Sequence, residues 1–324
     1  MSKINSKLLA CILSLSLLTG CAHFTKHDTN PIPPTNRLIV FTSHKSEVYA
    51  PIIKEFELRT GISVEVQAGG TTEMLEKIKN GEEADVMFGG DVQNYTYYND
   101  YIEPYVASES SSLDFRYLEH HDSYTFFSQL PLVFIYNNKL VNNQRAPQKW
   151  SNFCDESWKG KISFADPHTS GTSISILNAF MTLNDPTYID KFYQQLDGHV
   201  ASGSGDVIRE VSTGTRLIGI TLEETAKKAM LTDTNITMVY PDYLFVISDG
   251  SFLVKNAKKF IDFTISKDAQ QFLSSTMYRR SVRQDINQLT ALTDLADYQN
   301  LVPWSNFRQE EILQLWDIST KINK

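Results

Sequence analysis

The chain has 324 residues, of which 41% are hydrophobic and 21% charged, and its formal net charge is −8. This length allows two domains with separate cores, and the composition is that of a globular protein. A net acidic surface argues against nucleic acid as a partner, because phosphate-backbone binding needs a basic face, but it leaves a small anionic ligand possible.

The first twenty residues have the pattern of a signal peptide. Lys3 and Lys7 precede an uncharged apolar run over 8–18, which is too short to span a bilayer. The run ends in Leu18-Thr19-Gly20-Cys21, which resembles the bacterial lipobox. We therefore expect residues 1–20 to be removed and Cys21 to carry a lipid. The alternative is an ordinary secretory leader with a chance cysteine.

Residues 21–36 are polar and contain three prolines, which is typical of a flexible tether. Cys154 is the one cysteine expected in the folded part, so no intramolecular disulfide is predicted. The predicted protein is held at the outer face of the cell membrane by its lipid and is otherwise soluble.

The folded part opens with alternating strands and helices. The pattern predicts strands at 38–41, 62–66 and 84–88 and helices at 48–60 and 73–79. This order is typical of a parallel sheet with crossover helices. Small polar residues or glycines follow each strand, at the carboxyl end where open α/β sheets bind ligands.

The middle of the chain repeats this pattern. Strands are predicted at 161–165, 217–221 and 237–240, with helices at 174–183 and 207–212. We therefore expect a second α/β lobe. The remainder is predicted to be mostly helical and to end in an amphipathic helix over 309–322.

Several short segments match the pattern of one protein family. They are Phe41-Thr42-Ser43, Thr60-Gly61-Ile62, Ala68-Gly69-Gly70-Thr71, Ala84-Asp85-Val86, Asp166-Pro167, Ser170-Gly171-Thr172, Gly219-Ile220-Thr221, Val239-Tyr240-Pro241, Asp249-Gly250 and Tyr278-Arg279-Arg280. Together they resemble bacterial extracellular solute-binding proteins of the ferric-ion type.

The resemblance implies a two-lobed α/β fold, the periplasmic-binding-protein-like type II fold. Each lobe would be a mostly parallel sheet flanked by helices, and the ligand cleft would lie between the lobes, which close by hinge motion. Residues 37–135 and 248–324 would form the first lobe, and 136–247 the second. The resemblance also implies a monomer that binds a solute without a cofactor and is not an enzyme.

A finer likeness is to binders of phosphorylated sugars and related organophosphates, among them lipoproteins that sense hexose phosphate for a membrane histidine kinase. It is carried by Met87-Phe88-Gly89-Gly90, by the Ser/Gly run over 202–205, and by Gly219-Ile220-Thr221-Leu222-Glu223. It implies a small phosphorylated solute and a membrane partner, which is either an ABC permease or a sensor kinase.

The predicted ligand residues are the hydroxyls, glycines and carboxylates at the strand ends and helix starts. They are Ser43, Gly70, Thr71, Gly90, Asp91, Ser170, Gly171, Thr172, Ser202, Gly203, Ser204, Thr221 and Glu223. Hydroxyls and backbone N–H groups suit a phosphate, and Thr221 and Glu223 would receive sugar hydroxyls. Ser170 and Ser202 are equally explained as helix N-caps. Asp206 argues against a phosphate nearby, because an acid repels it.

Two other functions compete with this prediction. Iron-binding relatives use an adjacent tyrosine pair after the strand at 217–221, where this chain has Leu222-Glu223-Glu224-Thr225, so ferric iron is the second choice. A phosphoester hydrolase is the third, since the sequence has neither a Gly-x-Ser-x-Gly elbow nor a His-Glu-x-x-His motif. No metal ligands are predicted.

Overall fold

The structure is a computed structural model that describes residues 36–118, 122–287, 292, 294–295, 298, 300–305 and 307–323. The predicted signal peptide, Cys21 and all of the tether but its last residue lie outside the described residues. Within these residues, no helix has both the length and the apolar character needed to cross a membrane.

The described strands form one mixed sheet. They are β1 (Arg37–Thr42), β2 (Ser63–Ala68), β3 (Val86–Asp91), β4 (Thr125–Asn137), β5 (Ile162–Ser163), β6 (Ile218–Leu222), β7 (Ile236–Val239), β8 (Val246–Leu253) and β9 (Arg280–Ser281). Their order is β2-β1-β3-β8-β4-β6-β5, and β7 and β9 also pair with β4. The pairs β1–β2, β1–β3 and β5–β6 are parallel, whereas β4 and β8 run antiparallel to each of their partners. The expectation of mostly parallel sheets is therefore corrected to a mixed sheet.

The helices flank this sheet. They are α1 (Ser46–Thr60), α2 (Thr71–Lys79), α3 (Gly171–Leu183), α4 (Thr187–Leu196), α5 (Ser204–Thr213), α6 (Glu223–Thr232), α7 (Lys258–Thr264), α8 (Lys267–Met277) and α9 (Gln309–Ile322). Several begin two or three residues before the apolar pattern does. Helix α3 begins early because the Ser170 side chain accepts a hydrogen bond from the backbone N–H of Ser173, at 3.2 Å.

Two large groups of buried side chains form separate cores. The first core surrounds Phe41, Phe56, Phe88 and Phe260, and the second core includes Phe134, Trp150, Phe180 and Trp316. A smaller group, including Val133, Ile135 and Val211, covers the other face of β4 and β6. Two cores are expected in a chain of this length, because a single hydrophobic core rarely serves more than about 250–300 residues.

Strands β4 and β8 supply residues to both cores. Phe126 and Phe127 of β4 pack in the first core, and Leu132 and Phe134 of the same strand pack in the second. The change of partners occurs around Pro131, after which β4 pairs with β6 and β7. These two strands therefore join the two halves of the fold.

The C-terminal helix packs on the second core, which differs from the expected division of the chain. Ile312 and Trp316 of α9 are buried there, with the Trp316 ring 5.3 Å from Phe164 and 5.1 Å from Tyr193. The expected first lobe included residues 248–324. Its last helix contacts the second core instead, because the apolar face of α9 is covered by α3 and α4.

Candidate functional site

A cavity of about 790 Å³ lies between the two cores. Its walls come from the carboxyl ends of strands and from the loops that follow them, on both sides. The two walls approach each other closely where a Cβ built on Gly70 would lie 3.7 Å from the carbonyl oxygen of Thr169. Nearby, a Cβ on Gly171 would lie 4.0 Å from the Cβ of Thr71. The expected facing loops are therefore present in the structure.

Five helices begin at this cavity. Residues at or beside the first turns of α1, α2, α3, α5 and α6 line it. Each helix start carries backbone N–H groups without intrahelical partners and the positive end of the helix dipole. Convergence of five such ends makes the cavity favourable for an anion.

Most of the predicted ligand residues line this cavity. They are Ser43, Gly70, Thr71, Gly90, Asp91, Ser170, Gly171, Thr172, Ser204 and Thr221. Gly90 has φ +105°, and a Cβ there would approach Thr71 Cγ2 to 2.6 Å. The backbone at the end of β3 is therefore packed directly against the start of α2.

Three predicted residues lie outside the cavity lining. The Ser202 hydroxyl donates to the Asp206 carboxylate, and Gly203 is the N-cap of α5. Glu223 is buried and accepts two hydrogen bonds from Arg280, at 2.7 and 2.9 Å. Successive residues at a helix start point about 100° apart, so Glu224 lines the cavity and Glu223 does not. The predicted role of Glu223 in receiving sugar hydroxyls is therefore not supported by its position.

Asp206 also lies outside the cavity lining. Its carboxylate accepts from Arg209 at 2.6 Å and from Ser202, and the hydrogen bond from Ser202 is the main cause that lowers the pKa of Asp206. Asp206 therefore does not argue against a phosphate in the cavity, because its charge is paired with Arg209 and it does not face the cavity.

Arg279 is a buried cation in the cavity wall that sequence reasoning did not select. Its guanidinium donates to both carboxylate oxygens of Glu224, at 2.7 and 3.1 Å, and to Asp249 at 2.7 Å. Arg279 follows α8, which packs in the first core, whereas Glu224 lies in the first turn of α6, which packs in the smaller group that covers β4. The ion pair therefore links the two halves of the fold and neutralises the cation.

Asp249 is the centre of this buried network. One oxygen accepts from His44 Nε2 at 2.8 Å and Ser128 Oγ at 2.9 Å, and the other accepts from the backbone N–H of Gly90 at 3.0 Å. Burial opposes ionisation, but the charge and hydrogen bond of His44 and the charge of Arg279 hold the pKa of Asp249 below its usual range. Asp249 is therefore a carboxylate at neutral pH.

Asp91 differs from Asp249 in its charge environment. Burial raises the pKa of Asp91 to about 7, against the lowering effect of the Gln93 N–H, and the charge of Asp249 adds to the increase. A carboxyl group that is about half ionised at neutral pH thus lies in the wall of the cavity.

Lys45 and Lys228 are the lysines in the part of the cavity lining that the structure describes. Lys45 forms no ion pair with any residue that the structure describes, and its Nζ lies 3.9 Å from a Cβ built on Gly205 at the start of α5. Lys228 lies 3.8 Å from Glu224. The sequence analysis selected neither lysine. Lys45 precedes α1 and Lys228 lies one turn into α6, and neither position by itself marks a ligand residue.

Tyrosine is absent from the described lining of this cavity. Tyr97 and Tyr98 line a smaller neighbouring pocket, and the Tyr98 hydroxyl donates to Glu76 at 2.8 Å. Across the described residues, no three His, Cys, Asp or Glu side chains are arranged to hold a metal ion.

A family profile described as "Bacterial extracellular solute-binding protein" matches residues 38–279. The chain belongs to this family. It is an extracytoplasmic solute-binding protein and not an enzyme. A curated relative, the putative 2-aminoethylphosphonate-binding periplasmic protein of Salmonella typhimurium, is 24% identical over 254 residues, which cover 71% of this chain and 73% of the relative.

Solved structures share the fold of this solute-binding protein. A structure titled "Two-component system protein mediate signal transduction" has a TM-score of 0.76 and 23% identity, with 87% of this chain and all of that chain covered. AfuA of Actinobacillus pleuropneumoniae with fructose-6-phosphate bound has a TM-score of 0.77 and 19% identity, over 88% and 98% of the two chains. Iron-bound HitA of Pseudomonas aeruginosa has a TM-score of 0.76 and 17% identity, over 87% and 99%. The fold is thus that of type II periplasmic binding proteins, as predicted, although its sheet is mixed and not mostly parallel.

Proposed function

We propose that this solute-binding protein captures a small phosphorylated solute, preferably a sugar phosphate, in the cavity between the two cores. The observation that carries the proposal is the convergence of five helix starts on one cavity. Backbone N–H groups and hydroxyls hold a phosphate without a permanent positive charge, which suits a protein whose net charge is −8.

One charged side chain of the cavity favours an anionic ligand. Arg279 is already paired with Glu224 and Asp249, so the ammonium group of Lys45 is the cation free to contact the ligand within the described lining. Ser43, Thr71 and Ser170 add hydroxyls from both sides. Their placement favours a compact group with several acceptor oxygens, such as a phosphate.

A 2-aminoethylphosphonate is the second candidate. The Salmonella relative named for this compound is one support, and the carboxylates of Glu47 and Asp91 in the cavity wall are another, because they would pair with an ammonium group. Ferric iron has less support, since tyrosine is missing from the described lining.

The two cores are proposed to be two lobes that close over the solute, with β4 and β8 as the strands that flex. The loaded protein would then dock on an ABC permease or on a sensor histidine kinase. A lipid on Cys21 would hold it at the outer face of the membrane. The predicted leader and lipobox, together with the solved two-component relative, support this arrangement.

Thermal unfolding with a ligand panel tests the proposal. The panel contains fructose-6-phosphate, inorganic phosphate, 2-aminoethylphosphonate and ferric citrate. At a hundredfold excess over Kd, a ligand that binds only the folded state adds about 2.7 kcal/mol to its stability. We expect this response to the sugar phosphate and not to ferric citrate. A response to iron alone would overturn the proposal.

A further inference from the structure

The ligand cavity has a polar extension. A second pocket of about 310 Å³ lies between α3 and the segment that follows β3, and it shares Asp91, Asn94 and Ser175 with the main cavity. We propose that this side pocket binds the hydroxyl groups of a phosphorylated polyol. This inference rests on the proposed function and specifies the solute as a sugar phosphate rather than a free phosphate or a two-carbon phosphonate.

One wall of the side pocket is a polar stripe on an otherwise apolar helix. Ser175 and Asn178 follow Gly171 along the same face of α3, and both side chains are buried. The Asn178 carbonyl oxygen accepts from Thr182 Oγ1 at 3.3 Å, whereas its amide nitrogen donates to no group in the described chain. This amide nitrogen is not among the fully buried polar atoms that lack a partner, so it is open to the pocket and can donate to a ligand acceptor.

The opposite wall belongs to the first core and offers complementary groups. One oxygen of Asp91 accepts from the Gln93 N–H at 3.1 Å, and the other has no partner among the described residues. The Asn94 side chain likewise forms no hydrogen bond within that part of the chain, and it lines both spaces. Acceptors and donors therefore face one another across the pocket.

This combination fits a polyol better than the other candidate ligands. Each sugar hydroxyl both donates and accepts, so it can donate to Asp91 and accept from Asn178. An inorganic phosphate at the helix starts has no further group to place beside Asn178, which lines the extension and not the main cavity. The ammonium of 2-aminoethylphosphonate would be satisfied by a carboxylate and has no acceptor for the Asn178 amide. Asn178 is thus the residue that separates these ligands.

Calorimetric titration of Asn178→Leu tests the side pocket, because leucine keeps the volume and removes the amide. We expect the affinity for fructose-6-phosphate to fall about tenfold or more, and that for inorganic phosphate to change by less than about twofold. Ser173→Ala, at a buried position of the same helix outside both pockets, is the matched control and should bind both ligands like the wild type.

Asn94→Ala provides an independent test, because this partly exposed side chain makes no hydrogen bond in the described chain and its loss should not impair folding. Like Asn178→Leu, this variant should lower the affinity for fructose-6-phosphate and leave the affinity for inorganic phosphate unchanged. The inference is overturned if either variant keeps the wild-type affinity for fructose-6-phosphate. It is also overturned if either variant loses affinity for phosphate and for fructose-6-phosphate to the same extent. It is also overturned if the wild type binds fructose-6-phosphate no tighter than phosphate. If no phosphorylated compound binds the wild type, the proposed function itself fails.

Discussion

At the scale of single residues, the cations in the cavity wall have different roles. One is paired with carboxylates and stabilises the fold, and another has no ion-pair partner in the described chain and can bind a ligand. Arg279 is 4% exposed and shared between Glu224 and Asp249. A guanidinium that two carboxylates neutralise has little charge left for a ligand, so the proposed anion would be bound by Lys45 and the backbone N–H groups. A buried arginine beside a binding cavity is therefore no proof that it contacts the ligand.

Removing the carboxylate at the centre of this network should destabilise the protein. Asp249→Ala leaves His44 Nε2 and the Gly90 N–H without their acceptor and removes one of the two carboxylates paired with Arg279. We expect the free energy of unfolding in urea to fall by about 3–5 kcal/mol. The control is Asp268→Ala, which breaks an exposed pair with Arg59 and should cost no more than about 1 kcal/mol. Equal losses in the two variants would show that the network contributes nothing beyond a surface ion pair.

The pH dependence of Asp249 follows from the sign of its shift. The pKa in the folded state lies below the unfolded value of 3.8, so its contribution is complete above that pH and is lost as the pH falls below it.

Asp91 should give the opposite dependence. Its folded pKa of about 7 exceeds the unfolded value of 3.8, so the folded state binds the extra proton and stability falls as the pH rises between these values. We expect Asp91→Asn to be more stable than the wild type at pH 8 by between about 1 and 4 kcal/mol, and equal to it near pH 4. Urea unfolding of both proteins across this range measures the difference. A constant difference at all pH values would contradict the assignment.

At the scale of elements, the sequence predicted the crossover units well and the joining strands poorly. The helix at 309–322 has the predicted bounds, and the strand at 38–41 lies within β1. Strand β4 was missed because its residues are buried on both faces, so they form an apolar run without alternation, and Pro131 interrupts it. Strand β8 contains Asp249 and Gly250, which have low strand propensity and are retained by buried contacts that only the folded chain provides.

The contact between β3 and α2 should depend on a glycine that sequence patterns treat as a simple turn. Gly90→Ala combines φ +105° with a Cβ 2.6 Å from Thr71 Cγ2, so it should cost about 2–4 kcal/mol of stability and weaken ligand binding. Gly61→Ala is the matched control, because φ is +67° there and nothing lies within 4 Å of the new Cβ. It should cost about 1 kcal/mol. Comparable costs would show that the close approach to α2 carries no energy.

At the scale of the whole molecule, the site is divided between two cores that are built from different, alternating segments of the chain. Strand ends and helix starts such as Gly70 and Ser170 could be recognised locally, because glycine and hydroxyl residues mark them. Arg279, Asp249 and Lys228 could not, since their place in the cavity depends on how β4 and β8 set one half of the fold against the other. Hydrophobic periodicity predicts the helices and strands within each half, but it carries no information on how the two halves pack against each other.

This division predicts that a cross-link between the halves will trap the ligand. A Cβ at position 171 lies 4.0 Å from that of Thr71, within the range of 3.5–4.5 Å or so found in disulfides. Thr71→Cys combined with Gly171→Cys should therefore oxidise to a disulfide between the two walls of the cavity. Radiolabelled fructose-6-phosphate bound before oxidation should be retained through gel filtration and released by reductant, whereas ligand added after oxidation should be excluded.

The single variants Thr71→Cys and Gly171→Cys, and the reduced double variant, control for any direct effect of the substitutions on binding. Cys154 should not interfere, because burial raises the pKa of its thiol to about 12 and keeps it unreactive. If the oxidised double variant exchanges ligand as fast as its reduced form, the two halves need not separate for ligand entry. The proposed closure between the lobes would then be wrong even if phosphate binding is right.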